Sequence, residues 1–193
     1  MKTMIDLFSG LGGASEGFMV PGWSVCRYEN NPLLGEVPFT TICDLTTFKL
    51  ILGHAPTLVW ASPPCLEFSR GFNAPAPTAQ REGREFTPSL DLVKRAITII
   101  EELKPKFWVI ENVVGAIKHF EPLLGPPRQI IGSFVLWGNF PYVDVAPEFN
   151  HTKAQVDVWS GDPLRANKKG KIPREISEAL RIVIDTQKTL DLW

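Results

Sequence analysis

Between Trp60 and Arg70 the sequence reads WASPPCLEFSR, and its chemistry centres on one thiol. An apolar run, TLVW, stops at Ala-Ser-Pro-Pro and then presents Cys65. Proline fixes its own φ and restricts the residue before it, so a Pro-Pro pair aims whatever follows. A nucleophile needs such aim, whereas a cysteine that merely fills a core does not. The residues alone leave both uses of Cys65 open. Cys26 and Cys43 have no comparable framing and read as small buried hydrophobes. The three cysteines form no CxxC pair, so neither a zinc site nor a disulfide framework is expected. No metal is expected, and a reducing, cytoplasmic setting is.

Other chemically capable residues recur at the ends of apolar runs. MIDLF is followed by SGLGG, Ser9 to Gly13, a turn in which backbone N–H groups approach a ligand closely at a helix start. It is neither the GxGxxG fingerprint nor a Walker loop, and an ordinary tight turn is the alternative. WSVCRYE ends on Glu29, placed to accept from ribose hydroxyls, or else a solvated surface acid. Asp44 and the Glu111-Asn112 pair complete the set.

These positions require an α/β fold to bring them together. MIDLF, WSVCRYE, TLVW and KFWVIENV are strand candidates, and SLDLVKRAITIIEEL is the clearest helix, with Leu90, Val93, Ile97 and Ile100 near helical spacing and Pro105 just beyond. The alternation predicts a Rossmann-like, doubly wound, mostly parallel sheet with helices on both faces, whose functional residues lie beyond the carboxyl ends of the strands. Phe72 to Pro88 shows no periodicity and reads as a long loop. Gly161 to Lys171 reads as a polar, basic stretch before a last helix. The N-terminus reads as a first strand rather than a signal peptide, and no apolar run approaches the ~20 residues that span a bilayer. A net charge of −1 argues against life on non-specific phosphate attraction, though local basic patches remain open.

DLFSGLGG, ENNP, CDLT, SPPCLEFS and ENV, in that order, resemble the ordered motifs of the cytosine-5 DNA methyltransferases, and the late KIPREISEAL resembles their closing motif. The resemblance implies a class I methyltransferase fold and S-adenosylmethionine as cofactor. By position it assigns the cofactor to Asp6, Phe8, Ser9, Gly10, Gly12, Gly13, Glu29, Asn30, Asp44 and Pro63, and catalysis to Pro64, Cys65, Glu111 and Asn112. Carbon 5 of cytosine is a weak nucleophile. Addition of a Cys65 thiolate at carbon 6 makes it enamine-like, and a protonated Glu111 assists at ring nitrogen 3. The base is flipped out of duplex DNA for this reaction. Ser69, Arg70, Arg81 and Arg84 in the loop after Cys65 then face nucleic acid, as do Lys168 and Lys169 in a basic run with Arg165, Lys171 and Arg174.

The sequence departs from the family pattern in two places. Leu66 stands where a glutamine is common, and no arginine clearly matches the one that braces the catalytic acid, Arg128 being nearby but poorly aligned. The expected organisation is a cofactor-binding and catalytic core at 1–131, a reduced target-recognition region at 132–170 and a helix at 171–193 packing back on the core. Trp137 and Phe140 in the middle segment read as core rather than base-stacking residues. The short middle segment implies a brief recognition sequence, a partner subunit that reads DNA, or an RNA substrate such as transfer RNA. A modified transferred group, a catalytically retired cofactor-binding subunit and a nicotinamide-dependent dehydrogenase are the remaining alternatives; the last leaves Pro-Pro-Cys and Glu-Asn-Val unexplained.

Overall fold

The computed structural model describes residues 1–145 and 161–190. Among them, seven strands form one sheet: β1 (Lys2–Leu7), β2 (Trp23–Glu29), β3 (Thr40–Ile42), β4 (Leu58–Ala61), β5 (Phe107–Val113), β6 (Gln129–Ile131) and β7 (Phe134–Asn139). Their spatial order is β3-β2-β1-β4-β5-β7-β6. β1 to β5 pair in parallel, and β7 runs antiparallel to both neighbours. This is a Rossmann-like sheet, with the chain order reversing between β1 and β4.

Strands covered on both faces need apolar side chains in both directions. β4, LVWA, is buried at every position. Alternate residues serve different cores. Met4, Leu58, Trp60, Val109 and Leu136 face one core, while Ile5, Val59, Ala61, Ile110 and Trp137 face the other. The first core is closed by α1 (Gly13–Glu16) and α6 (Arg174–Leu190), the second by α3 (Asp91–Leu103) and α4 (Ile117–Leu124). On α3, Val93, Ala96, Ile99 and Ile100 are buried. The helix ends at Lys104, which takes the left-handed conformation (φ 49) and donates to the Ile100 carbonyl just before Pro105.

Two segments differ from the sequence expectation. The loop from Phe72 to Pro88 contains α2 (Pro75–Arg81), started by a proline in its first turn, and the basic stretch contains α5 (Arg165–Gly170). α2 buries only Ala79 and α5 buries nothing, so neither imposes an apolar period on its sequence. β7 lies between β5 and β6 in the main sheet, so the core extends past residue 131; Trp137 is fully buried and Phe140 nearly so. Residues 146–160, the middle of the expected recognition region, lie outside the described residues.

α6 docks on α1 through a missing side chain. A Cβ on Gly17 would collide with the backbone of Ser177 and Glu178. Instead the Gly17 N–H donates to Ser177 Oγ at 3.0 Å, and Arg181 Nε donates to the Gly17 carbonyl at 2.8 Å. Asp185 on the same helix accepts from Trp23 Nε1 at 3.1 Å and from Arg181 at 3.0 Å, and it pairs with Lys2.

Candidate active site

Because β1 to β5 are parallel, their carboxyl ends share one edge. Leu7 is level with Tyr28 and Ala61, and Ala61 with Ile110. The residues that follow, Phe8, Glu29, Ser62 and Glu111, therefore line up across the sheet, with Pro63 to Cys65 just beyond β4. Asp44 follows β3 two residues on.

The nucleophile candidate sits where strand becomes turn. Ser62 N–H donates to the Leu7 carbonyl at 3.1 Å, Pro63 is buried, Pro64 is exposed, and half-buried Cys65 opens a 3-10 turn over Leu66–Phe68. Phe68 anchors that turn, packing edge-on against Phe120. Gly115, just after β5, lets the Phe68 carbonyl approach so closely that any Cβ there would collide with it. Asn112 on β5 is 1% exposed; its side-chain amide donates to the Pro63 carbonyl at 2.9 Å and its oxygen accepts from the Val113 N–H at 2.9 Å. Glu111, beside it, is 8% exposed. The turn bearing Cys65 is thus fixed to the strand bearing Glu111.

The glycine loop is organised differently from the expected nest of free amides. Phe8 leaves β1 in the left-handed conformation (φ 58), uncommon for a residue with a Cβ. The Ser9 N–H donates to the Tyr28 carbonyl, and that of Gly12 to the Ser9 carbonyl. The Gly10 N–H donates to Glu29 Oε2 at 2.8 Å, while Glu29 Oε1 accepts from Asn30 and Asn31, each at 3.0 Å. Glu29 is 7% exposed and acts first as the tie between loop and strand. A Cβ at position 13 would collide with the Ile172 backbone, and one at position 12 with the Arg27 guanidinium. Around Gly10, among the described residues, Asn167 Nδ2 alone lies near the place of a Cβ, at 3.6 Å.

Asp6 is buried in the network beneath the loop. It is 0% exposed, its Oδ2 accepts from Ser15 Oγ at 2.6 Å, and its Oδ1 has no hydrogen-bond partner among the described residues. Burial pushes its carboxyl up to about 7, against the opposing pull of the Ser15 bond and the Arg27 charge. Asp44 is exposed, and hydrogen bonds from Thr46 hold its carboxyl below the usual range. Asn30 is exposed beside Glu29.

The nucleic-acid candidates are scattered. Ser69 and exposed Arg70 follow the Cys65 turn directly. Arg81 stacks on exposed Phe72, its guanidinium 3.8 Å from the ring centre, and Arg84 pairs with Glu82. Lys168 pairs with Asp162 at 2.7 Å and Lys171 with Glu16 at 2.7 Å, so the basic run is partly neutralised; Lys169 is half-buried. Arg128 is used by the fold, donating to the Phe140 carbonyl at 3.2 Å.

Sequence reasoning missed Arg27 and Ser15, which support the loop from below, and Asn167 beside it. β2 alternates buried and half-buried residues, with Trp23, Val25, Arg27 and Glu29 on the buried parity. An arginine on the inward parity was the available signal.

The sequence model of the C-5 cytosine-specific DNA methylases matches residues 2–124. The chain belongs to this family. Type II methyltransferase M.HindV of Haemophilus influenzae is 32% identical over 149 residues, 69% of this chain and 43% of its own length. M.AquIA of Picosynechococcus sp. is 33% identical over 132 residues, 60% of this chain and 50% of its own. M.HgiGI of Herpetosiphon aurantiacus is 30% identical over 129 residues, 60% of this chain and 93% of its own. The chain therefore spans half or less of the first two. A solved Entamoeba histolytica methyltransferase, EhMeth, aligns with a TM-score of 0.49 at 14% identity over 72% of this chain and 53% of its own. The methylase match contains every residue from Asp6 to Asn112 discussed above, whereas β6, β7, α5 and α6 fall after it. Among the described residues no helix is long and apolar enough to cross a membrane, and no group of three or more His, Cys, Asp or Glu side chains is placed to hold a metal.

Proposed function

We propose that this chain transfers a methyl group from S-adenosylmethionine to carbon 5 of cytosine in DNA, with Cys65 as the nucleophile. The observation that carries the reading is the Asn112–Pro63 hydrogen bond, which locks the Pro-Pro-Cys turn to the strand of Glu111. A covalent mechanism needs its thiol and its acid held in register, and this bond is one side chain away from both.

The residues at the strand ends fit the cofactor. Glu29 retains acceptor capacity for ribose hydroxyls beside its three amide donors, Asp44 presents an exposed carboxylate for an adenine amine on one side of it, and half-buried Phe8 offers an aromatic edge on the other. Bound there, S-adenosylmethionine supplies an electrophilic methyl group. Cys65 adds as thiolate to carbon 6, and Glu111 gives a proton to nitrogen 3, so that the electron pair accumulates at carbon 5. Methyl transfer releases S-adenosylhomocysteine; a solvent base then takes the carbon 5 proton, the carbon–sulfur bond breaks to release the Cys65 thiolate, nitrogen 3 returns its proton to Glu111, and the aromatic ring is restored. Asn112 keeps the turn in place throughout.

Ser69 and Arg70, adjoining the nucleophile, are the first phosphate contacts. Arg81 and Arg84 join when the loop closes. Their present partners are solvent-exposed, and an exposed ion pair is worth at most ~1 kcal/mol, so a phosphate displaces them at little cost.

The test is transfer of a labelled methyl group to double-stranded DNA, with transfer RNA and the Cys65→Ala protein alongside. Label on DNA cytosine with the wild type alone supports the proposal. Label on transfer RNA alone moves the substrate to RNA, and undiminished transfer by Cys65→Ala overturns the mechanism.

A further inference from the structure

We propose that Arg27 is a positioning residue for the cofactor loop, holding both walls of that site from below; the cofactor's identity rests on the reading above. Arg27 is 3% exposed and stands level with Asp6 across the β1–β2 ladder. Its guanidinium reaches in three directions. Nε donates to Ser15 Oγ at 2.7 Å, Nη2 to the Gly12 carbonyl at 3.3 Å, and Nη1 to the Pro38 carbonyl at 2.7 Å. Ser15 in turn donates to Asp6, so a buried Asp6–Ser15–Arg27 chain runs under the loop. Burial works against the charge on Arg27, and Asp6 and Glu16 support it.

Two features separate this from an ordinary buried ion pair. The guanidinium fills the space a side chain at 12 would need: a Cβ on Gly12 would lie 2.5 Å from the guanidinium carbon, and Gly12 is left-handed (φ 74). Loop and arginine are therefore fitted to one another. The second grip, on Pro38, holds the turn before β3, whose Phe39 is left-handed (φ 63) and accepts at its carbonyl from the Arg27 N–H at 2.9 Å. β3 leads to Asp44. One planar fork thus sets the spacing between the glycine loop and the strand that delivers Asp44, while Glu29 holds the same loop at Gly10. A lysine carries its three donors on one nitrogen and cannot reach the three separated acceptors that Nε, Nη1 and Nη2 reach. Preorganisation of this kind acts on ligand affinity, because an ordered loop has less freedom to lose on binding.

The experiment compares wild type, Arg27→Lys, Ser15→Ala and Ile99→Ala. Ile99 belongs to the core on the opposite face of the sheet and serves as the control for stability lost elsewhere. Calorimetry with S-adenosylmethionine and S-adenosylhomocysteine gives Kd, single-turnover methylation at saturating cofactor gives the rate, and amide hydrogen exchange without ligand reports the loop. Arg27→Lys is expected to raise Kd about tenfold, and Ser15→Ala about threefold, with the saturated rate held within about twofold and faster exchange at Gly12 to Ser15. Ile99→Ala is expected to lower the thermal midpoint with Kd unchanged. Unchanged Kd and unchanged loop exchange in Arg27→Lys overturn the proposal. If wild type binds neither nucleoside, the cofactor reading fails, and the exchange arm alone decides whether Arg27 holds the loop.

Discussion

The side-chain amide of Asn112 donates to the carbonyl of Pro63 at 2.9 Å, joining strand β5 to the turn that carries Cys65. Both groups are buried. A buried carbonyl that loses its donor costs about 1–3 kcal/mol. Asn112→Ala is therefore expected to lower unfolding free energy by roughly 2 kcal/mol and single-turnover methylation by about 100-fold. Urea melts and rapid-quench rates check both, and a stability loss with an unaltered rate removes Asn112 from the support of Cys65.

Cys65→Ala is expected to abolish transfer while leaving cofactor affinity intact. The thiol is half-buried at the start of the turn, and alanine keeps the φ −93, ψ −2 conformation there. Equilibrium binding of S-adenosylmethionine together with the methylation assay separates the two effects. Loss of both together would place Cys65 in the scaffold.

For Glu29 the prediction is double. Removing its carboxylate takes away the proposed ribose acceptor and leaves the amides of Gly10, Asn30 and Asn31 without their acceptor. Glu29→Ala is expected to weaken cofactor binding at least tenfold and to lower stability by about 1–3 kcal/mol. Calorimetry and thermal melts on the same preparation read these out, and a variant with full cofactor affinity ends the ribose assignment.

The buried Asp6 carboxyl makes stability fall with rising pH. In the unfolded chain the group ionises near its ordinary value of 3.8; in the folded chain it holds its proton up to about 7. Between those values the native state binds the extra proton, so this group destabilises the fold progressively from about pH 4 to about 7 and by a constant amount above. A shift of that size corresponds to ~4 kcal/mol. Asp6→Asn keeps an acceptor for Ser15 and removes the titration. The difference in unfolding free energy between variant and wild type should grow across that window, and parallel profiles would exclude the assignment.

Much of the site could be read from sequence because parallel strands share an edge. Once TLVW and KFWVIENV are strands, Pro63 to Cys65 and Glu111 must be neighbours. The role of the glycines could not be read that way. Gly13 is fixed by the Ile172 backbone and Gly17 by Ser177 and Glu178, contacts from chain far downstream that no local pattern contains. α2 and α5 escaped because a helix that buries one residue or none writes no period into its sequence. Arg27 escaped for a related reason: a charge between apolar residues looks like the outer face of a strand until its partners Ser15, Gly12 and Pro38 are in view.

The docking of α6 on α1 has a consequence for synthesis. Gly17 meets Ser177 across a separation of 160 residues, and Lys2 meets Asp185 across 183. On the ribosome, the first strands emerge long before the helix that covers them, so Phe18, Trp23 and Val25 await Ile176, Leu180 and Ile184 to complete their core. Folding of this chain is therefore not completed strand by strand from the amino end. Its glycine loop is finished among the last parts, and a chain interrupted before α6 leaves the ribosome with an apolar sheet face open to chaperones and to aggregation.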